Sequence, residues 1–178
     1  MTRIAERCAE MKPFAAPFAA ILAGAALMLA APPVSAQNAS QIGHARNGAS
    51  CPRCNLFQAD FSNLELKGLN FAGARLRQAD FSAAVMNRTS FAGGDLRDVN
   101  GYGGVFSSVN FAGANLTNAT FVGAYLQGAN FRGATLAGVN FSGAEMEHAV
   151  GLTQAQLREA CGDEATSLPS GLRLRPCA

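Results

Sequence analysis

The chain has 178 residues, of which 49% are apolar and only 15% charged, with 19 Gly, 12 Phe, no Trp and a formal net charge of +2. That balance excludes the electrostatic footprint of a nucleic-acid binder and the strongly acidic surface of a nucleic-acid mimic. It also excludes a disordered chain, which would need high charge and few aromatics. Only two histidines, His44 and His148, are present, so general acid–base chemistry starts from few candidates.

The N-terminal 36 residues carry the order of a secretory signal peptide. Arg3, Arg7 and Lys12 precede an apolar run from Phe14 to Ala31, and Pro32, Pro33 and then Val34-Ser35-Ala36 follow. Basic, apolar and small-residue zones in that order predict cleavage before Gln37 and an exported protein, periplasmic or extracellular. The alternative is an uncleaved membrane anchor, since the apolar run approaches the roughly 18 residues a spanning helix needs. Cys8 lies in the basic zone and is not placed for lipid attachment. After cleavage no membrane association is expected.

Removal of that segment leaves 142 residues with 11 Lys/Arg and 10 Asp/Glu. Residues 37–50 (QNASQIGHARNGAS) are polar and aperiodic, and are expected to be a flexible lead-in. Four cysteines remain, Cys51, Cys54, Cys161 and Cys177, and an even number in an exported chain reads as disulfides.

From residue 51 to residue 150 a period of five organises the sequence. Beginning at Leu56 and stepping by five, 18 of 19 positions as far as Met146 are Phe, Leu or Met, with Gly101 the single exception. Two residues before each centre stands Ala in 10 of the 19 repeats, and two residues after it stands Gly in another 10. Asn or Asp often precedes the centre, as at Asp60, Asn70, Asp80, Asn110, Asn130 and Asn140. A helix buries residues at a period of 3.6 and a strand at a period of two, so a sustained period of five fits neither. It demands a path that turns every five residues and sends two side chains per unit toward an axis. Gly, Asn and Asp tolerate such turns.

These repeats (QADFS, GANLT, GANFR, GVNFS) closely resemble the pentapeptide-repeat family, whose motif is A(D/N)LXX with a central Leu or Phe. The resemblance covers about 95 residues. It implies an all-β fold, a right-handed quadrilateral β-helix with four repeats per coil and both the centre and the residue two before it pointing inward. Positions 20 apart should then stack. One column is Leu56, Leu76, Leu96, Leu116 and Leu136; others are Phe71, Phe91, Phe111 and Phe131, or Phe61, Phe81, Gly101, Phe121 and Phe141. Phe106 stands alone as a Phe in the column of Leu66, Met86, Leu126 and Met146, and is expected to compensate for Gly101. Nearly five coils at about 4.8 Å each give a rod of roughly 23 Å.

Both ends of such a rod expose unpaired backbone unless covered. Thr153-Gln154-Ala155-Gln156 is a capping-box pattern and predicts a short C-terminal capping helix, with Leu152, Leu157, Ala160 and Cys161 on its apolar face and Gly162 in a left-handed stop. Pro169, Gly171 and Pro176 predict an irregular tail, closed by a Cys161–Cys177 disulfide, and the segment over 151–178 resembles the tail of exported bacterial members of the family. Cys51 and Cys54 form a C-x-x-C at the first coil. A structural disulfide is the favoured reading; a redox pair or half of a metal site are the alternatives.

Chemistry is sparse elsewhere. His148 lies beside Glu145 and Glu147 with no nucleophile or metal partner patterned near it. Asp60, Asp80, Asn100, Thr120 and Asn140 fall 20 apart and read as a polar ladder. Gly101 to Gly104 precedes no helix, so it is not a phosphate loop. Between Val99 and Glu145 the only charge is Arg132. The expected interaction surfaces are therefore a low-charge wall around Ala92, Ala112, Tyr102 and Tyr125, and the helical cap around Leu157 and Arg158. The expected function is a non-catalytic exported structural or protein-interaction module, with an unknown protein partner or self-association, no nucleic acid, no cofactor and no metal. Some members of the family it resembles are DNA-mimicking inhibitors of gyrase. Six basic and seven acidic residues between Cys54 and His148, together with the signal segment, stand against that alternative. An enzyme is the third reading, and no site for one is found.

Overall fold

Hydrogen bonds between residues 20 apart organise the chain. The structure, a computed structural model, describes residues 38–177, and the segment read as a signal peptide lies outside the described residues. Isolated parallel bridges run in steps of five from Asn55↔Arg75 to Asn130↔Val150, each joining a residue to the one 20 further on, with Asn115↔Thr135 and Thr120↔Asn140 among them. Four repeats thus make one coil, and the coils stack as a parallel β-helix. Each repeat centre donates its N–H forward, as Phe61 does to the Asp80 carbonyl at 2.7 Å, while the residue before it donates backward, as Asp80 does to Ala59 at 2.9 Å.

Between bridges the chain turns in the same way each time. The carbonyl of the centre accepts the N–H three residues on, as at Phe81 and Ala84 (3.0 Å) or Phe111 and Ala114 (2.9 Å). The third residue of that turn has positive φ, 64° at Gly93 and 66° at Gly113, which is type II geometry and the reason for Gly two places after the centre. Nine other residues, among them Gln78, Ala83 and Arg88, take φ between 53° and 60° in the described chain, at a cost of about 1 kcal/mol each. The Asn/Asp preference also has a cause. The N–H of the residue after a centre takes no part in the ladder, and the polar side chain before the centre often accepts it: Asp80 from Ser82 (2.8 Å), Asn110 from Ala112 (3.0 Å), Asn140 from Ser142 (2.9 Å); at Ser107 the Asn87 side chain of the neighbouring coil does so instead.

Inside, Phe and Leu columns fill the rod. Phe61 and Phe81 stack at 5.0 Å, Phe91 and Phe111 at 5.6 Å, and Phe121 and Phe141 at 6.0 Å. At the gap left by Gly101, the Phe106 ring meets Phe81 edge-on at 6.5 Å and Phe121 at 5.3 Å. Gly104 leaves room for this ring: a Cβ there would come within 2.6 Å of it. One turn in this stack is unusual. Its carbonyl, on Leu66, takes no N–H from Leu69 and instead accepts the hydroxyl of Thr89 from the next coil at 3.0 Å. Thr89 is fully buried and occupies a position where Ala is commonest.

The first coil begins one repeat before the first centre recognised in the sequence, because Cys51 itself occupies a centre and is 6% exposed. Residues 38–50, expected as a flexible lead-in, are ordered against that coil. Helix α1 (Ala39–Arg46) starts at Asn38, whose side chain caps Gln41 N–H at 3.1 Å, and it buries Ala45 with Ile42 packed on the core. Polar groups here, which made the segment look unstructured, are bonded to the exposed ladder. The Gln41 side chain accepts Asn55 N–H at 2.7 Å, Ser50 accepts Asn70 N–H at 2.9 Å, and Arg46 donates to the Asp60 carbonyl.

At the other end, helix α2 (Gln154–Leu157) is a single turn with both bonds of a capping box at Thr153. The Gln156 side chain reaches down to the carbonyls of Phe131 and Ala134 at 2.9 and 2.8 Å. The chain then continues the ladder irregularly, Asn140 bridging Cys161 and Glu145 bridging Ser167. Strand β1 (Cys161–Gly162) pairs in parallel with β2 (Arg175–Pro176). Gly162 therefore lies in a strand rather than in a left-handed stop, and a Cβ there would fall 2.8 Å from Thr166 and 2.9 Å from Leu174. The tail expected to be wholly irregular contributes a strand because Arg175 is held in register with Cys161.

Phe106→Ala should lower stability by about 3–5 kcal/mol in denaturant melts, since no neighbour can refill a gap already opened by Gly101. Ser107→Ala, one residue on and facing outward, should stay within about 0.5 kcal/mol.

Candidate interaction surface

The interior is closed by its own side chains, so recognition falls to the outward columns. Repeats two apart in a four-repeat coil face opposite sides, and this divides the wall expected from the sequence. Ala92 and Ala112 share one side with Ser90, Asn110 and Asn130, in a half-buried, flat column. Tyr102 lies on the opposite side, 61% exposed, and Tyr125 on the side between, 40% exposed. The four residues do not form one surface. Tyr102 and Tyr125 flank one corner: Val105, three residues after Tyr102, bridges Tyr125, and the Val122 carbonyl accepts Gly103 N–H at 2.9 Å. Tyr102, Val105, Val122 and Tyr125 make an apolar corner bordered by Glu145, which bridges Tyr125 from the next coil, and the branched residues are not legible in the sequence because Val recurs in the chain without a period.

Leu157, expected on the surface of the cap, is fully buried in the core. It is an anchor and not a contact, because α2 is one turn long and lies flat on the last coil. Arg158 beside it is exposed.

Charge gathers on the first three coils and at the C-terminal cap. Arg97 grips Asp95 through two bonds of 2.7 and 2.6 Å, Arg46 pairs with Asp60 at 3.2 Å, and Lys67 pairs with Glu65. The Arg97 guanidinium holds the Asp95 carboxyl below the ordinary value of 3.8, and the Ser62 hydroxyl and N–H do the same for Asp60. Glu147 is lowered by the Gln127 amide. Asp163 is lowered first by Gly143 N–H, which it accepts at 2.8 Å.

Asp163 lines a cleft of about 470 Å³ between the last coil and the tail, with Ser142, Glu164, Thr166, Leu168, Leu174 and Cys177. Its carboxylate is committed to Gly143, Ala165 and Thr166, and the Ser142 hydroxyl lies 3.5 Å from Cys177 Sγ. His148 is exposed, with Nδ1 2.8 Å from the Gln127 side-chain oxygen and no nucleophile against it. The column of Asp60, Asp80, Asn100, Thr120 and Asn140 stacks as expected, with the Asn100 amide donating to Asp80 at 3.0 Å. Among the described residues no group of His, Cys, Asp and Glu has a metal-holding arrangement. No helix among them is long and apolar enough to cross a membrane. Cys51 and Cys54 stand with Cα atoms 5.5 Å apart, and Cys161 and Cys177 with theirs 4.9 Å apart, so both pairs are disulfide-capable.

Stacked five-residue units, two inward side chains each, define a β-helical solenoid. The chain belongs to the pentapeptide-repeat family: eight copies of the repeat are matched, over residues 65–100, 105–143 and 124–161, more than half of the sequence. Family membership carries the right-handed sense of the coil. Such proteins are generally non-enzymatic structural or interaction modules. A pentapeptide repeat protein of the Arabidopsis thaliana thylakoid lumen is 31% identical over 49% of this chain and 54% of its own, with a TM-score of 0.30. The present chain thus spans about half the length of that relative. A pentapeptide repeat protein of Nostoc is 24% identical, covering 77% of this chain and 88% of its own, at a TM-score of 0.36. A trypsin-treated form of QnrB1, a plasmid-mediated fluoroquinolone resistance protein, is 21% identical over 69% and 76% of the two chains, at 0.38. No curated protein matches the sequence.

The lowered carboxylates set a pH dependence. Asp60, Asp95 and Asp163 stabilise the fold fully above the unfolded value of about 3.8 and lose that contribution as pH falls through their lower folded values. Denaturation midpoints should therefore drop on acidification below about pH 5. Combining Asp95→Asn with Asp163→Asn should lower the midpoint at pH 7 and flatten the acid limb.

Proposed function

We propose that this chain is an exported, non-catalytic β-helix that binds a protein partner through its apolar corner, at whose edge Glu145 adds one negative charge. The observation that carries the reading is the pairing of a filled interior with Tyr102 and Tyr125 standing 61% and 40% exposed beside two valines. Aromatic side chains in an apolar setting are the usual anchors of a protein interface. Export to the periplasm or the cell exterior follows from the signal-like first 36 residues, and is consistent with two disulfide-capable pairs among the four cysteines that remain. In that compartment the pairs form disulfides. On the loop-entropy account the Cys161–Cys177 bond contributes about 3 kcal/mol and the short Cys51–Cys54 loop about 2 kcal/mol. Residues 151–177 serve as the C-terminal cap, with Leu157 the anchor and Arg158 outside.

A gyrase-directed role is not favoured. It calls for an acidic wall, and the walls here balance acid against base, with long uncharged stretches between.

Two measurements test the proposal. N-terminal sequencing of protein from an envelope fraction should read from Gln37; an intact Met1 in cytoplasmic protein would remove the export reading. A photo-crosslinker at position 102 should capture one partner, whose affinity for the mature chain falls at least about tenfold in a Tyr102→Arg, Tyr125→Arg double variant. Ala92→Arg, on the opposite side, should leave it unchanged. Equal loss from both variants would defeat the corner as the contact.

A further inference from the structure

The two cysteine pairs differ in what they hold together. Cys161 and Cys177 tie down a tail that is also held by a short pairing with β1, by Cys177 N–H on Gly162 at 3.1 Å, by the Gln154–Arg173 contacts, by Arg175 Nε on the Ala160 carbonyl at 3.2 Å and by Leu172 and Leu174 packed on the core. Cys51 and Cys54 span a turn that the chain makes repeatedly with no crosslink. Cys54 N–H bonds the Cys51 carbonyl at 3.3 Å, as Leu64 does Phe61 at 3.2 Å, Ala79 does Leu76 at 3.0 Å and Ala84 does Phe81 at 3.0 Å. Cys51 and Arg53 are also bound to the next coil through Asn70 and Ala72, both at 2.9 Å. A bond between the two sulfurs adds nothing that the turn requires.

Their exposure is unequal too. Cys51 sits at an inward centre, 6% exposed, whereas Cys54 is only partly buried. Cys54 faces inward, two before Leu56, but is left partly open at the first coil. A partly open sulfur, a buried one beside it, and a backbone that stays folded when the bond opens are the requirements of a reversible dithiol.

We propose that Cys51 and Cys54 form a redox-active pair that exchanges disulfide with a dithiol partner, Cys54 being the sulfur attacked. A thiolate of the donor attacks Cys54 Sγ. The bond to Cys51 breaks, and Cys51 leaves with the electron pair and takes a proton from water. The donor's second thiolate then attacks the donor sulfur of the mixed disulfide, expelling Cys54 as thiolate. The donor ends as a disulfide, oxidised by two electrons, and the pair ends as two thiols. This rests on the reading that the cysteines oxidise after export, so the bond itself is established first.

The experiment uses the mature chain, air-oxidised, with both bonds mapped by non-reducing peptide analysis before titration with dithiothreitol. Cys51–Cys54 should open at a dithiol ratio at least about tenfold lower than Cys161–Cys177. The Cys51→Ala, Cys54→Ala double variant should still fold and melt no more than about 8 °C below the parent, the loss expected from the short-loop bond alone, because the turn bonds remain. In Cys51→Ala the lone Cys54 should form a mixed disulfide with glutathione in the folded protein, while Cys51 in Cys54→Ala should not. The proposal is overturned if the mapped protein has no Cys51–Cys54 bond, or if that bond opens only as the fold is lost. Glutathione capture by Cys51 and not by Cys54 would reverse the assigned roles and overturn it equally. Failure of export, read from the N-terminus, is a separate result.

Discussion

A turn that needs positive φ at its third residue recurs every five residues, and the ladder joining residues 20 apart depends on it. Each turn redirects the chain by one side of a square, and four of them return it above its starting point. Without that closure the bridges have no partner and the centres have no shared axis. Glycine supplies the conformation without strain at ten of these positions between Gly68 and Gly143. The remaining turns, at residues such as Gln78 and Arg88, are held against their local preference by the hydrogen bonds of the coils on either side.

Packing then follows from the closure. Centres and the residues two before them face inward, so Phe stacks on Phe through successive coils, and the narrow interior leaves no room for solvent or substrate. The exchange at Gly101 and Phe106 shows how tightly that volume is shared: a missing ring in one column is replaced from a neighbouring column, over a glycine that leaves space for it. Thr89 shows the same economy for polar groups. Its hydroxyl satisfies a carbonyl that lacks its turn bond, where Ala would leave that acceptor orphaned in the core.

A stack of this kind is easily extended, so its ends must be closed differently from its middle. The segment over 38–50 meets one end with side-chain groups from Gln41, Arg46 and Ser50, while the other is met by Gln156, Thr166 and Asp163. These groups take up backbone positions that a further coil would otherwise occupy, and between Val99 and Glu145 the wall carries the single charge of Arg132. What is left between is a wall of low charge whose exposed aromatics stand at a single corner. Function as an interaction module is consistent with that division, since the interior and both ends are already committed to holding the rod together.

The sequence by itself determined the repeat and the inward positions, because a period of five is local information written many times over; four repeats per coil, and with it the partnership of Gly101 and Phe106, came with the resemblance to the family. The sequence also located the capping box at Thr153, where the pattern spans only a few residues. Tertiary structure decided what depends on meeting another segment. Residues 38–50 look unstructured because they have no period, and they order only because the first coil offers unpaired groups. Leu157 reads as one apolar residue of a short helix, and only its seat on the last coil makes it core. Ala92, Ala112, Tyr102 and Tyr125 share low charge along the chain, yet the coil turns them to three different sides, since a position around a rod is set by how often the chain has turned and not by the company a residue keeps in sequence.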